Sequence, residues 1–202
     1  MSADLLVLHA LRCCGSTGLA RVASFTGLGE SEVESELIDL AVAGLVTHHR
    51  DFGGWALTEA GKAADAARIA AELEPAGGRP ALKEAFDDFL VLNPELLDLC
   101  TAWQVRSVDG VTTINDHRDT AYDARVLRLF TSFYERAVVV IAALSTVAPR
   151  FGRYSARLGE ALDRTKAGEL GYLADNLASF HTVWAELHED LLATLGIARW
   201  SG

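Results

Sequence analysis

His9 and Cys13 stand four residues apart in MSADLLVLHALRCC. On a helix that spacing puts an imidazole and a thiol on one face, where they could share a metal ion. Cys14 beside it makes a vicinal pair, a pattern found in thiol sensors. The plainer reading makes Cys13, Cys14 and Cys100 reduced, small apolar residues of a core, since an odd set with one adjacent pair is not a disulfide framework. Near the other end, His181 and His188 are two helical turns apart, about 10 Å along the axis. Both cannot reach one ion at roughly 2 Å each, so no metal and no cofactor is expected. The segment 107–119 (SVDGVTTINDHRD) gathers Asn115, Asp116, His117 and Asp119, with Tyr122 just beyond. Asn and Asp beside a helix start are ordinary caps and turn formers. The sharper reading folds this loop over the end of a helical bundle. Trp103, His117, Tyr122, His181, Trp184 and His188 then line a pocket whose aromatic walls and few polar groups suit a small organic effector.

No catalytic array competes with these readings. GLGESE, from Gly27, lacks the glycine pattern and the preceding strand of a phosphate loop, and no G-x-S-x-G or HExxH occurs. His188, Glu189 and Asp190 are consecutive and diverge on a helix. An enzyme is not expected.

The elements that would position these residues can be read from hydrophobic period and punctuation. Helices are expected at 3–14, 19–26 and 31–43, the last with Val33, Leu37, Leu40 and Gly44 on one stripe. The period then changes. Residues 45–50 and 55–57 flank Asp51-Phe52-Gly53-Gly54, which predicts a hairpin, and Thr58 is a candidate cap for a helix over 59–73. Three helices, a hairpin and a fourth helix make a winged helix-turn-helix over 1–74. Residues 75–80, rich in Gly and Pro, read as a linker. Over 81–202 helices are expected at 81–92, 94–106, 120–148, 150–167 and 169–195, with Pro94 suiting a first helical position, Pro149 marking a break and 107–119 left as a polar loop. In the last of them Leu173, Leu177, Phe180, Trp184, Leu187 and Leu191 form a seam at steps of four and three. The fold class is thus mainly α: a winged helix followed by a helical bundle.

Half of the 202 residues are apolar and 23% are charged, which excludes a disordered chain. The longest strongly apolar stretch, residues 137–144, is far short of the roughly 18–20 needed to span a bilayer, and Asp4 stands where a secretory leader would carry a cation. A cytoplasmic protein with no membrane partner is expected. Eighteen basic against 28 acidic residues give a net charge of −10, and both parts of the chain share the excess. The third helix carries Glu30, Glu32, Glu34, Glu36 and Asp39, with no Lys or Arg from Gly29 to His49. Carboxylates there subtract from the phosphate attraction on which DNA affinity rests.

The run GLVTHHRDFGGWALTEAGK, residues 44–62, resembles the wing of MarR-type winged-helix transcription regulators, in which GLV, a glycine-tipped hairpin and LTxxG recur. Segments of 86–196 (FLVLNPELLDLCTAWQVR, NDHRDTAYDARVL, FHTVWAELHEDLL) are similar to the C-terminal part of actinobacterial MarR-like regulators. The resemblance carries no catalytic motif. It implies a DNA-binding transcriptional regulator acting as a homodimer. Arg21, Ser31, Ser35, His48, His49 and Arg50 are its candidate DNA contacts, and the helical second part would dimerise and sense a small molecule. The alternative is a protein-interaction or ligand-binding module without a DNA role, docking a basic partner through the acidic third helix.

Overall fold

The computed structural model of the chain describes residues 1–49, 53–73, 78–108 and 110–197. The described residues are mainly helical, with eight α-helices and two separate two-stranded hairpins. They divide into two compact units. The first gathers Met1–Arg79 with the chain from His188 on, and the second is Pro80–Leu187. Of the linker expected at 75–80, residues 75–77 lie outside the described residues and Gly78 already opens a helix. The sequence assigned everything after 81 to the second part. The end of the chain belongs instead with the first, where Asp190 hydrogen-bonds His9 and Arg79 donates to the Leu195 carbonyl.

The first unit runs α1 (Ala3–Cys14), α2 (Leu19–Thr26), α3 (Glu30–Val42), β1 (Val46–His49), β2 (Gly54–Leu57) and α4 (Glu59–Leu73). Leu8, Leu11, Val22, Phe25, Val33, Leu37 and Ile69 are its fully buried centre. Val33, Leu37 and Leu40 face inward as their spacing requires, whereas Gly44 lies outside the stripe. At φ +74° it reverses the chain after α3, a conformation that favours glycine. β1 and β2 pair antiparallel, Val46 opposite Leu57 and His49 opposite Gly54. Thr17, between α1 and α2, adds a bridge to Trp55 on β2 through two backbone bonds of 3.0 and 2.8 Å.

The LTxxG run has a structural explanation here. Thr58 donates its hydroxyl to the carbonyls of Gly44 and Leu45 and accepts from the Gly61 amide, so it caps α4 and ties α4 to the start of the hairpin. Gly61 then lies directly against the Leu45 carbonyl, where a Cβ would come within 1.9 Å of the oxygen.

The second unit contains most of α5 (Gly78–Gln104), then β3 (Val105–Val108), β4 (Val111–Ile114), α6 (Thr120–Val147) and α7 (Gly152–Lys166). It closes with the first half of α8 (Phe180–Leu195). Phe89, Phe130, Phe133, Phe151, Tyr154 and Phe180 form an aromatic core.

Three expectations fail here. Pro94 does not separate two helices: α5 runs through it. A proline inside a helix costs about 3 kcal/mol, but the buried series Leu82, Phe86, Phe89, Leu96, Leu99 and Trp103 keeps helical spacing on both sides and outweighs that cost. Residues 107–119 are not a loop throughout, because β3 and β4 pair with Val108 opposite Val111. The Asp109-Gly110 dipeptide between valines is the usual signal for such a hairpin; Gly110 has φ +81° and Asp109 lies outside the described residues. Residues 169–195 are not one helix. A 3-10 turn (Leu170–Tyr172) and a bent segment precede α8, which begins where Ser179 Oγ accepts the Thr182 amide. Leu177, expected in the seam, is therefore 69% exposed, while Leu173, Phe180, Trp184, Leu187 and Leu191 are buried.

Candidate functional site

The exposed face of α3 carries two kinds of chemistry. Glu30, Ser31, Glu32, Glu34, Ser35 and Asp39 are all exposed, and so are Ile38 at 52% and Val42 at 86%. Ser31, Ser35, Ile38 and Val42 follow one another at helical spacing, so a hydroxyl and aliphatic ridge runs between carboxylates. Slight burial, together with the charges of Asp4, Asp39 and Glu32, raises the Glu36 carboxyl above its ordinary value.

The chemistry differs at the hairpin. His48 packs its ring on Trp55 across the strands, with centroids 4.7 Å apart, and stays exposed. His49 lines an open cleft of about 690 Å³ with Ser16, Thr17, Gly18 and Gly54, where the N terminus of α2 meets β1 and β2. Among the described residues no carboxylate lines the cleft, and α2 has no acid in its first turn. Arg21 is half-buried in that turn. Arg50, expected as the wing's main cation, lies outside the described residues.

Of the six residues expected to line an effector pocket, the five in the second unit do not converge. Trp103, His117 and Tyr122 come together at the base of the β3–β4 hairpin. The Trp103 and His117 rings lie 4.5 Å apart, and the Tyr122 hydroxyl donates to the Ala102 carbonyl at 2.7 Å. Trp184 instead stacks on Phe89, and its indole N–H donates to Asn93 Oδ1 at 3.0 Å. Asn93 and Trp103 are separated by ten residues of α5, about 15 Å of helix. His181 opens α8 beside Phe180, and its amide donates to the Leu173 carbonyl. His188 belongs to the first unit.

What fills the hairpin base is a buried polar network. Asn115 donates its side-chain amide to the Trp103 carbonyl at 3.0 Å and to Asp123 Oδ1 at 2.8 Å. His117 Nδ1 lies 3.1 Å from Asp123 Oδ2. An isolated two-stranded hairpin is marginal in water, and this network is what clamps its base to α5 and α6. Replacing Asn115 with Ala strands the Trp103 carbonyl and one Asp123 oxygen, so urea unfolding should show a loss of about 2 kcal/mol.

The third site was only half visible in the sequence. His9 is 1% exposed on α1, with Asp65 of α4 at 1% and Asp190 of α8 at 0%. His9 Nδ1 lies 3.0 Å from Asp65 Oδ1, and Nε2 lies 3.0 Å from Asp190 Oδ1 and 3.6 Å from Cys13 Sγ. Burial alone would lower the histidine's pKa. The Cys13 sulfur and the Asp190 carboxylate, with hydrogen bonds to Asp190 and Asp65, prevail and hold it well above the ordinary 6.5. Burial also raises the Cys13 thiol, opposed by the neighbouring imidazolium. Cys13 is half-buried and lines a cleft of about 280 Å³ with Arg12, Cys14, Gly15 and Glu189. Cys100 is different: burial pushes its thiol up to about 12, which leaves it an inert core residue.

The i, i+4 spacing of His9 and Cys13 was legible as a ligand pair. Asp65 and Asp190 were not, because neither has a motif and both reach His9 only through tertiary packing. No helix among the described residues is long and apolar enough to cross a membrane. No protein-family model, curated protein or solved structure matches the chain.

Proposed function

We propose that the first unit is a winged helix-turn-helix and that the protein is a DNA-binding transcriptional regulator acting as a homodimer. Support comes from the element order and from the Thr17–Trp55 bridge, which ties the chain before α2 to the hairpin. The observation that carries the DNA reading is the cleft lined by His49, Ser16, Thr17 and Gly18 at the α2 N terminus. Hydroxyls such as those of Ser16 and Thr17 beside a helix start can receive a phosphate. Arg21, in the first turn of the same helix, and His48 extend that surface. A dimer doubles these sparse contacts, offsetting the repulsion from α3.

A second reading is favoured by α3 itself. Its ridge of Ile38 and Val42 between carboxylates fits a basic, partly apolar protein partner better than a major groove. Fluorescence anisotropy against the DNA upstream of its own gene and a scrambled duplex separates the two. For a DNA regulator, the upstream sequence binds more tightly and the affinity falls steeply with salt. Arg21→Ala weakens binding to both duplexes and lowers the salt slope by about 1. Weak, salt-insensitive association with both duplexes and no response to Arg21→Ala would sink the DNA reading and leave α3 as a docking surface.

A further inference from the structure

We propose that His9, Cys13 and Asp190 form a three-ligand site for a zinc-class divalent cation, with Asp65 as the outer carboxylate that orients the imidazole. The inference stands apart from the DNA reading, because it rests on donor atoms buried within the first unit. The imidazole nitrogen, the thiol sulfur and a carboxylate oxygen lie within 4.8 Å of one another. Ligand bonds of roughly 2.0–2.3 Å at tetrahedral angles set donor atoms about 3.3–3.6 Å apart. The Nε2 to Sγ distance of 3.6 Å already matches that spacing, and the Nε2 to Asp190 distance of 3.0 Å falls a few tenths short.

The donor set decides the kind of ion. One nitrogen, one sulfur and one oxygen suit zinc and its neighbours, whereas magnesium and calcium take oxygen alone. The orientation of His9 is also that of a ligand. Asp65 holds Nδ1 as the N–H donor, which fixes the tautomer that turns Nε2 toward Cys13 and Asp190. The Thr194 hydroxyl donates chiefly to the Asp190 backbone carbonyl at 2.6 Å, with Asp190 Oδ1 at 3.1 Å as its second acceptor. Three protein ligands leave a tetrahedral ion one open position. Cys13 is the ligand that lines the 280 Å³ cleft, so entry and the open position fall on that side. On binding, the ion replaces the Nε2 proton shared with Asp190 and the Cys13 thiol proton, both of which leave to solvent.

The test uses the reduced full-length protein, stripped with a chelator and titrated with Co²⁺. One Co²⁺ should bind per chain and give a thiolate-to-cobalt charge-transfer band that Zn²⁺ abolishes. Cys13→Ser should remove the band, while Cys14→Ser and Cys100→Ser keep it. Asp65→Asn should weaken Zn²⁺ binding about 10–100-fold against a chromophoric chelator. X-ray absorption on the zinc-loaded wild-type protein needs no variant and should show a single sulfur neighbour. Absence of the band in the wild type, a band that survives Cys13→Ser, unchanged zinc affinity in Asp65→Asn, or a zinc shell without sulfur would each overturn the proposal.

Discussion

His9→Ala is expected to destabilise the protein by about 3–5 kcal/mol in urea unfolding at neutral pH with a chelator present, so that loss of an ion does not enter the comparison. The reason is charge, more than volume. Asp65 and Asp190 are 1% and 0% exposed, and both ring nitrogens of His9 face them at 3.0 Å. Without the imidazolium, two buried carboxylates lose the ring nitrogens that face them at 3.0 Å. Adding Asp65→Asn and Asp190→Asn to His9→Ala should recover part of the loss, because neutral amides bury at lower cost. A deficit near 1 kcal/mol that the added amides leave unchanged would show that the histidine acts only by packing. The wild type should also lose stability as the solution turns alkaline. The folded pKa of His9 lies above the unfolded 6.5, so its contribution is complete below pH 6.5 and fades as pH rises through the raised value.

Gly61→Ala should cost about 3 kcal/mol, the reverse of what helix propensity alone dictates. Within a helix, alanine is favoured over glycine by about 1 kcal/mol. Here the added Cβ meets the Leu45 carbonyl oxygen at 1.9 Å and its carbon at 2.9 Å. Those are backbone atoms between α3 and β1, so no rotamer change relieves the contact. Moving α4 away also strains two hydrogen bonds: the Thr58 amide to the Leu45 carbonyl, and the Thr58 hydroxyl, whose one proton is shared between the Gly44 and Leu45 carbonyls. Each is worth about 1 kcal/mol. Differential scanning calorimetry of the variant gives the answer, and an unchanged or raised midpoint would contradict the packing described for the LTxxG turn. The same displacement would shift the hairpin relative to α3, so any DNA affinity should fall with it.

Local punctuation made the first unit legible. Gly15, Gly27 and Gly44 end α1, α2 and α3 with positive φ, and the residues between them keep helical spacing, so the boundaries follow from chain chemistry. The second unit was harder to read where two local signals disagreed. Pro94 suits a first helical position, yet the apolar stripe continues past it, and packing prevailed. Asp109-Gly110 marks a hairpin, yet the polar residues around it suggest a loop, and pairing prevailed because Asn115 and Tyr122 tie the hairpin base to neighbouring helices.

The candidate sites divide along the same line. His9 with Cys13, the acidic run of α3 and the histidines of β1 are neighbours in sequence, and helical or strand geometry suffices to group them. The pairing of His9 with Asp65 and Asp190 and the separation of Trp103 from Trp184 depend on where α4, α5 and α8 pack. Residue spacing along one element determines which side chains share a face. Which faces meet is settled by burial of apolar stripes that many positions share, and a single buried carboxylate leaves no trace in that pattern until the helices are in contact.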